Sequence, residues 1–438
     1  MRTLILDGSW PNDPHAAHVH TALRQQLGLR GWNTEHLLLR EQNISNCAGD
    51  FFCWVKTPGI CIANDANRMI AAAIVRSDLM IYLNPITFGG YSSVLKRMID
   101  HQIQNISPYF TNVGGETHHK KRYKYYPSML VIGWQDQPDA RSEAIFGHLA
   151  HRNALNMHAP ALVYGTLKPK IPITAQLETW LTMVSHGISS PAPNLPSPQI
   201  APAATQPLRH ATLLVGSPRG SASTSASLGE YLMEQLVARG VAVQQFSLYR
   251  ALSNPEQMQE LLSTLDHTDL AVLSFPLYID SLPGPVVAVL EKIAAHRREH
   301  APSTPQRFAA IANCGFPEAH HNQNALAVCE SFAHESGFGW AGALALGEGA
   351  GMINGQPLKQ LGMHIAPIRR VLSMVAIGLV EQGVIPAEAS DLMAQPIIPP
   401  WLYTMVGGLN WERVALEYGA THAIGQQPYT SSECEERA

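Results

Sequence analysis

Short apolar runs alternate strictly with helical patterns along this chain, and the alternation occurs twice, on either side of a proline-rich stretch. In the second half, residues 213–215, 241–246, 270–275, 308–312 and 342–346 read as strands. Helical patterns over 225–238, 255–265, 283–296 and 322–336 lie between them. The first half repeats the order, with strand candidates at 3–6, 34–39, 79–83, 129–132 and 161–164 and helical patterns at 15–29, 65–75, 92–104 and 140–155. Parallel neighbours need a long crossover, so this alternation demands parallel sheets with helices on both faces. The repeated plan marks an internal duplication.

The stretch between the halves repeats proline, which favours extended backbone and bars a packed helix. The expected organisation is a first domain over 1–186, a linker over 187–209, a second domain over 210–350, a helical C-terminal extension over 351–424 and a polar, frayed tail over 425–438. With 438 residues, 46% hydrophobic and 15% charged, the chain has material for more than one core. A net charge of −4 argues against nucleic acid as a partner. No apolar run reads as long enough to span a membrane, 371–380 being among the longest, and the N-terminus reads as a first strand rather than a signal peptide. The expectation is a cytoplasmic protein without a transmembrane segment.

In a doubly wound sheet, ligands sit beyond the carboxyl ends of the strands, where the strand order reverses. In the second half, the loop after the first strand carries Gly216, Ser217, Arg219, Ser223, Thr224 and Ser225 and leads into a helix. Hydroxyls, one guanidinium and a helix N-terminus suit a phosphate, although an ordinary serine-capped turn has the same pattern. Pro276, Leu277, Tyr278 and Ile279 would form one wall of a crevice, and Asn313, Cys314, Gly315 and Phe316 the other; a phosphate joined to a flat ring fits that set. The corresponding first-half loops hold Ser9, then Pro85, Ile86, Thr87, Phe88, Gly89 and Tyr91, then Gly133 and Trp134.

The Gly-Ser loop, the Cys-x-Gly-type stretch, Pro-Ile-Thr-Phe-Gly-Gly-Tyr-Ser-Ser-Val-Leu-Lys-Arg-Met-Ile-Asp from Pro85 to Asp100, and a glycine-containing fourth-strand loop together resemble the NADPH-dependent FMN reductases. They also resemble the iron–sulfur flavoprotein relatives of that family. The resemblance implies two tandem flavodoxin-like, doubly wound, parallel five-stranded sheets with a helical C-terminal extension. It implies FMN as cofactor, NAD(P)H as electron donor and a small-molecule or protein electron acceptor. Ser217, Arg219, Ser223, Thr224 and Ser225 match the family's phosphate loop, whereas Trp10, Asn12, Asp13 and His15 replace it in the first half, so the expectation places FMN in the second half. Pro85 to Tyr91 matches the loop that flanks the flavin ring. The resemblance further implies that the halves pair as a pseudo-dimer within the chain, with Phe88 or Tyr91 of one bordering the flavin of the other, and it allows a homodimer. It assigns no catalytic acid or base, because the hydride chemistry belongs to the cofactor. The rival reading is a non-enzymatic electron carrier or redox-sensing scaffold with a degenerate flavin site.

Cys47, Cys53 and Cys61 resemble the family's compact cluster motif, with Asp50 where a fourth cysteine would stand. Clusters are held by four thiolates, so reduced thiols beside the flavin are expected ahead of an iron–sulfur cluster or zinc. The basic and aromatic run from His118 to Tyr126 reads as a solvated loop, with a nucleotide 2′-phosphate or an acidic partner as alternatives. His296 and His300 read as an exposed helix end, and the glycines from Gly347 to Gly351 as a weak nucleotide-binding signal. Trp401, Tyr403 and Trp411 are expected to pack the extension onto the second domain or its neighbour, with a membrane interface as the alternative.

Overall fold

A computed structural model describes residues 1–302 and 304–430. It resolves into two compact units: Met1–Leu195 together with the segment from Val406 onward, and Pro196–Met405.

Unit 1 contains β1 (Arg2–Asp7), β2 (Asn33–Leu38), β3 (Leu79–Pro85), β4 (Ile106–Val113), β5 (Glu116–Lys121), β6 (Ser128–Trp134) and β7 (Leu162–Thr166). Five of these pair in parallel in the order β2-β1-β3-β6-β7. β3 is buried along its whole length, as its continuous apolar run requires of a strand covered on both faces. Unit 2 contains β8 (His210–Val215), β9 (Ala242–Ser247), β10 (Leu270–Pro276), β11 (Arg307–Asn313) and β12 (Gly339–Leu346), parallel in the order β12-β11-β10-β8-β9. Counting parallel strands alone, both sheets have the order 2-1-3-4-5, and the fold of each unit is flavodoxin-like.

The two units reproduce each other down to single hydrogen bonds. Gly8 N donates to Leu83 O in unit 1 and Gly216 N to Ser274 O in unit 2, each at 2.8 Å. Ile86 N reaches Trp134 O, and Leu277 N reaches Asn313 O, again at 2.8 Å. Asp78 and Asp269 each accept a backbone N–H from the start of the neighbouring first strand, Arg2 at 2.7 Å and His210 at 2.8 Å. After the third strand of each unit comes the same tight turn, with two consecutive left-handed residues, Phe88–Gly89 and Ile279–Asp280, closed by the pairs Thr87–Gly90 and Tyr278–Ser281.

Unit 1 departs from the repeat at β4 and β5, an antiparallel hairpin turning through Gly114 and Gly115. It takes in much of the run expected as a solvated loop. His118, Arg122, Tyr123 and Tyr126 are buried, and the Arg122 guanidinium donates to the carbonyls of Ile106, Ile424 and Gln426. Lys120, Lys121, Lys124 and Tyr125 face solvent.

The residues expected as one C-terminal extension separate. The helices Ala366–Glu381 and Ala387–Met393 join the unit 2 core through Val371, Leu372, Val375, Leu379 and Met393. The stretch Met363–Glu381 is long and apolar enough to cross a membrane by length and composition, contrary to the sequence reading, yet its apolar side packs in that core. The helix Pro400–Glu417 then leads the chain back to unit 1. There Trp411 meets Phe51 and Trp54 at ring separations of 5.3 and 5.1 Å, so of the two domains it packs within the first. The first tail residues do not fray. Tyr429 is buried, its hydroxyl reaches Gln104 Oε1 at 3.2 Å, and Arg76 Nε donates to its carbonyl. The rest of the tail, 431–438, lies outside the described residues.

Candidate functional site

The switch point of each sheet lies between its first and third strands, so the loops leaving β1 and β3, and β8 and β10, bound the candidate crevices. In unit 2 the first loop makes a short turn over Gly220–Ala222 and enters the helix Thr224–Val237. Ser223 caps that helix, accepting from Ala226 N at 3.1 Å while donating to Gly220 O at 2.6 Å. Thr224 Oγ1 donates to Gly349 O, and Ser225 Oγ accepts from Asn313 Nδ2 at 2.9 Å. Ser217, Ser223, Thr224 and Ser225 are all buried, and Arg219 Nη1 donates to Asn354 Oδ1 at 3.2 Å. Arg219, Ser223, Thr224 and Ser225 are therefore engaged with the chain's own atoms.

Two of them, Thr224 and Arg219, are engaged by the segment 347–355, which crosses from the end of β12 to the loop after β8. The glycines of this segment serve close packing: a side chain at Gly349 would press on Asn313 and Thr224, and one at Gly351 on Tyr403. Glu348 anchors it, with a fully buried carboxylate accepting from Ile397 N at 2.7 Å and Ile398 N at 3.1 Å. Burial raises its pKa, against the pull of those two hydrogen bonds. The third loop is tied down as well. Gly315 O accepts from the Tyr403 hydroxyl at 2.9 Å, Phe316 stacks near His321, and Cys314 is buried with its thiol pushed up to about 12. Pro276, Leu277, Tyr278 and Ile279 stay half-exposed at the edge of this closed crevice.

Unit 1 is built differently. Asp13 takes the seat at the N-terminus of the helix Ala16–Leu29, accepting from His15 N at 2.9 Å and Ala16 N at 3.2 Å. Trp134 Nε1, from the end of β6, also donates to it at 3.0 Å. Ser9 is fully buried, and its hydroxyl accepts from Arg40 Nη1 at 2.7 Å. Arg40 lies in the turn Leu39–Glu41 after β2 and restores a cation to a loop that carries no arginine of its own. The sequence reading missed it, because it lies 31 residues from Ser9. Pro85, Thr87, Phe88, Gly89 and Tyr91 are buried and Ile86 half-exposed, with Asn84 Nδ2 donating to Pro85 O and Gly90 O across the turn. Tyr91 sits edge-on to Tyr82 and Phe146.

The family-model match falls on this unit. Residues 1–165 match the family described as NADPH-dependent FMN reductase. The matched stretch lies wholly within unit 1. The match covers the half to which the sequence reading did not assign FMN. No curated protein matches the chain. Among solved structures, an FMN-dependent NADH-azoreductase from Bacillus anthracis is 12% identical, over 39% of this chain and all of that one, with a TM-score of 0.30. An NAD(P)H:quinone oxidoreductase from Methanothermobacter marburgensis is 14% identical, over 40% of this chain and 98% of that one, with a TM-score of 0.29. A flavodoxin from the domain Archaea is 12% identical, over 39% and 96%, with a TM-score of 0.27.

In unit 1 the three expected cysteines gather closely enough to influence one another's ionisation. Burial pushes the Cys47 thiol up to about 12 and raises Cys53 and Cys61, and the neighbouring thiols and Asp50 add to the effect. Asp50 accepts from Phe52 N at 3.0 Å, just ahead of the short helix Phe52–Val55. Neutral, buried thiols are poor nucleophiles at neutral pH.

Proposed function

We propose that the chain is an NAD(P)H-dependent FMN oxidoreductase whose flavin belongs to unit 1. The observation that carries this reading is the juxtaposition of Arg40 and Ser9 at the β1 end of the crevice in the unit that matches the reductase family. The donor chemistry there fits an FMN phosphate: the Arg40 guanidinium offers charge-assisted bonds, and the buried Ser9 hydroxyl orients it by accepting from Nη1. In unit 2, where the sequence placed the phosphate, segment 347–355 and the internal partners of Thr224, Ser225 and Arg219 do not fit the group.

Bound in unit 1, FMN would accept a hydride from NAD(P)H and pass electrons to a small-molecule or protein acceptor. The chain's part is to hold and shield. Arg40, oriented by Ser9, would hold the phosphate, and the turn from Thr87 to Gly90, pinned by Asn84, would set the depth of the ring. Trp134 closes the fourth-strand side and limits water. Asp13 is the feature favouring the second reading, a non-enzymatic carrier or scaffold, because its carboxylate occupies a helix end that would otherwise attract an anion.

The test is FMN affinity in paired variants. A hydrogen bond to a charged group contributes about 1.5–3 kcal/mol, so Arg40→Ala should weaken FMN about tenfold to a hundredfold and Arg219→Ala should leave it unchanged. The reverse pattern would return the phosphate to unit 2. Rapid NAD(P)H-dependent bleaching of the bound flavin distinguishes the enzyme from the carrier.

A further inference from the structure

Beneath the first loop of unit 1 lies a cluster that the flavin reading does not use. Asp7 ends β1, His36 stands on β2, and His20 lies one turn into the helix that follows the loop. In the parallel register His36 is opposite Ile5, so it shares a sheet face with Ile5 and, two residues on, with Asp7. The helix lays His20 over that same face, and the two imidazole rings meet edge-on at 4.9 Å. His36 Nε2 is 3.1 Å from Asp7 Oδ2, and His20 Nε2 also meets Oδ2. The three ligand atoms lie within 4.8 Å of one another.

The carboxylate is oriented from behind. Asp7 is fully buried, and its other oxygen, Oδ1, accepts from Ser9 N at 2.8 Å, which turns Oδ2 toward the imidazoles. Both histidine side chains keep 19% of their surface, so the cluster has one wall open to solvent.

The duplication supplies an internal control. Asp7 is the sixth residue of β1, and the sixth of β8 is Val215. His20 is the fifth residue of its helix, and the fifth of Thr224–Val237 is Leu228. His36 is the fourth residue of β2, and the fourth of β9 is Gln245. Val215 and Leu228 are core residues of unit 2, so the architecture itself asks for apolar side chains at two of these positions. Unit 1 gives up that burial for a carboxylate and two imidazoles, a costly exchange for packing alone.

We propose that Asp7, His20 and His36 form a binding site for a divalent transition-metal ion, with Nε2 of each histidine and Oδ2 of Asp7 as ligands and a fourth position open to solvent or substrate. Two imidazoles and one carboxylate are the donor set that zinc and its first-row neighbours accept. Ligands bound to one tetrahedral ion at about 2.1 Å stand about 3.4 Å apart, close to the His36–Asp7 separation of 3.1 Å. Both imidazoles would bind as the neutral Nδ1–H tautomer. Ser9 N–H plays the supporting part that orients a ligating carboxylate.

The test uses the full-length protein, stripped with a chelator and titrated with Zn²⁺ against a chromophoric competitor, and separately with Co²⁺. One equivalent should bind tightly, and the Co²⁺ spectrum should show ligand-field bands of a nitrogen and oxygen site without intense thiolate charge transfer. His36→Gln and His20→Leu place in unit 1 the residues that unit 2 already uses. Each should weaken that equivalent about a hundredfold or more, since loss of supporting contacts alone costs tenfold to a hundredfold. Wild type and both variants binding Zn²⁺ alike would overturn the proposal. So would intense sulfur-to-cobalt absorption, which would move the metal to Cys47, Cys53 and Cys61, or the absence of a tight equivalent in the wild-type protein.

Discussion

Gly355 is the position where the closure of the unit 2 crevice can be tested by one methyl group. Its φ is +75°, and a Cβ there would stand 3.0 Å from Ser223 N and closer still to the Ala222 carbonyl. The obstacle is backbone, and it belongs to the turn that leads into the Ser223 cap, so it has little room to retreat. Holding alanine in the left-handed region costs about 1–2 kcal/mol, and forcing a methyl group into a filled space adds about 1–3 kcal/mol. Gly355→Ala should therefore destabilise unit 2 by about 2–5 kcal/mol, at about 2–4 °C of melting temperature per kcal/mol for a unit of roughly 150–250 residues. The cost has an alternative outlet, because segment 347–355 can lift away instead. Limited proteolysis followed by mass spectrometry should then show new cleavage between residues 347 and 357. Gly28→Ala is the control: it lies in a helix with open space around it and should stabilise unit 1 by about 0.4–1 kcal/mol. If Gly355→Ala melts with the wild type and shows the same cleavage pattern, the segment does not lie on the first loop.

Two further predictions concern pH. His119 is half-buried and packs against Phe110 and Trp54, and desolvation lowers its pKa to about 3, outweighing its backbone hydrogen bonds. Below about pH 6.5 the unfolded chain takes up a proton that the folded chain refuses, so stability should fall with decreasing pH by about 1.4 kcal/mol per unit down to about pH 3. Chemical unfolding across that range should give a shallower slope for His119→Phe, and equal slopes would refute the assignment. Asp65 caps the helix Ala66–Arg76, and although burial raises its pKa, hydrogen bonds from Ser45 and Asn67 prevail and hold it at about 2. Its contribution is complete above the unfolded carboxylate range and lost as pH falls through about 2. Asp65→Ala should cost about 0.5–2 kcal/mol at pH 7, and the gap from wild type should close below pH 4; a gap constant with pH would sink this account.

The sheets were legible because their central strands are short runs of β-branched and aliphatic residues between helical patterns, and Leu79 to Pro85 or Leu270 to Pro276 can hardly be anything else. The hairpin of β4 and β5 was hidden by Pro108, Asn112 and a string of charged residues that look like surface. Its Gly114-Gly115 turn was the available signal. The Gly347–Gly351 run was visible, but sequence does not distinguish glycines that admit a phosphate from glycines that admit the chain's own backbone. Arg40 and the trio Asp7, His20 and His36 lacked any local spacing motif. They meet because the first crossover folds back on the sheet, and only the β1–β2 register shows that Asp7 and His36 share a face.

The return of the chain to unit 1 bears on the order in which the molecule can be assembled during synthesis. The first 195 residues emerge long before Ile424 and Gln426, whose carbonyls receive the Arg122 guanidinium. At roughly 5–20 residues per second the interval is on the order of tens of seconds, during which a cation destined for burial lacks two of its acceptors. The second unit, uninterrupted in sequence, is free to complete itself meanwhile. The half made first is thus the half finished last, and a ribosome stalled after unit 2 would hold a nascent first unit that still has to be sealed.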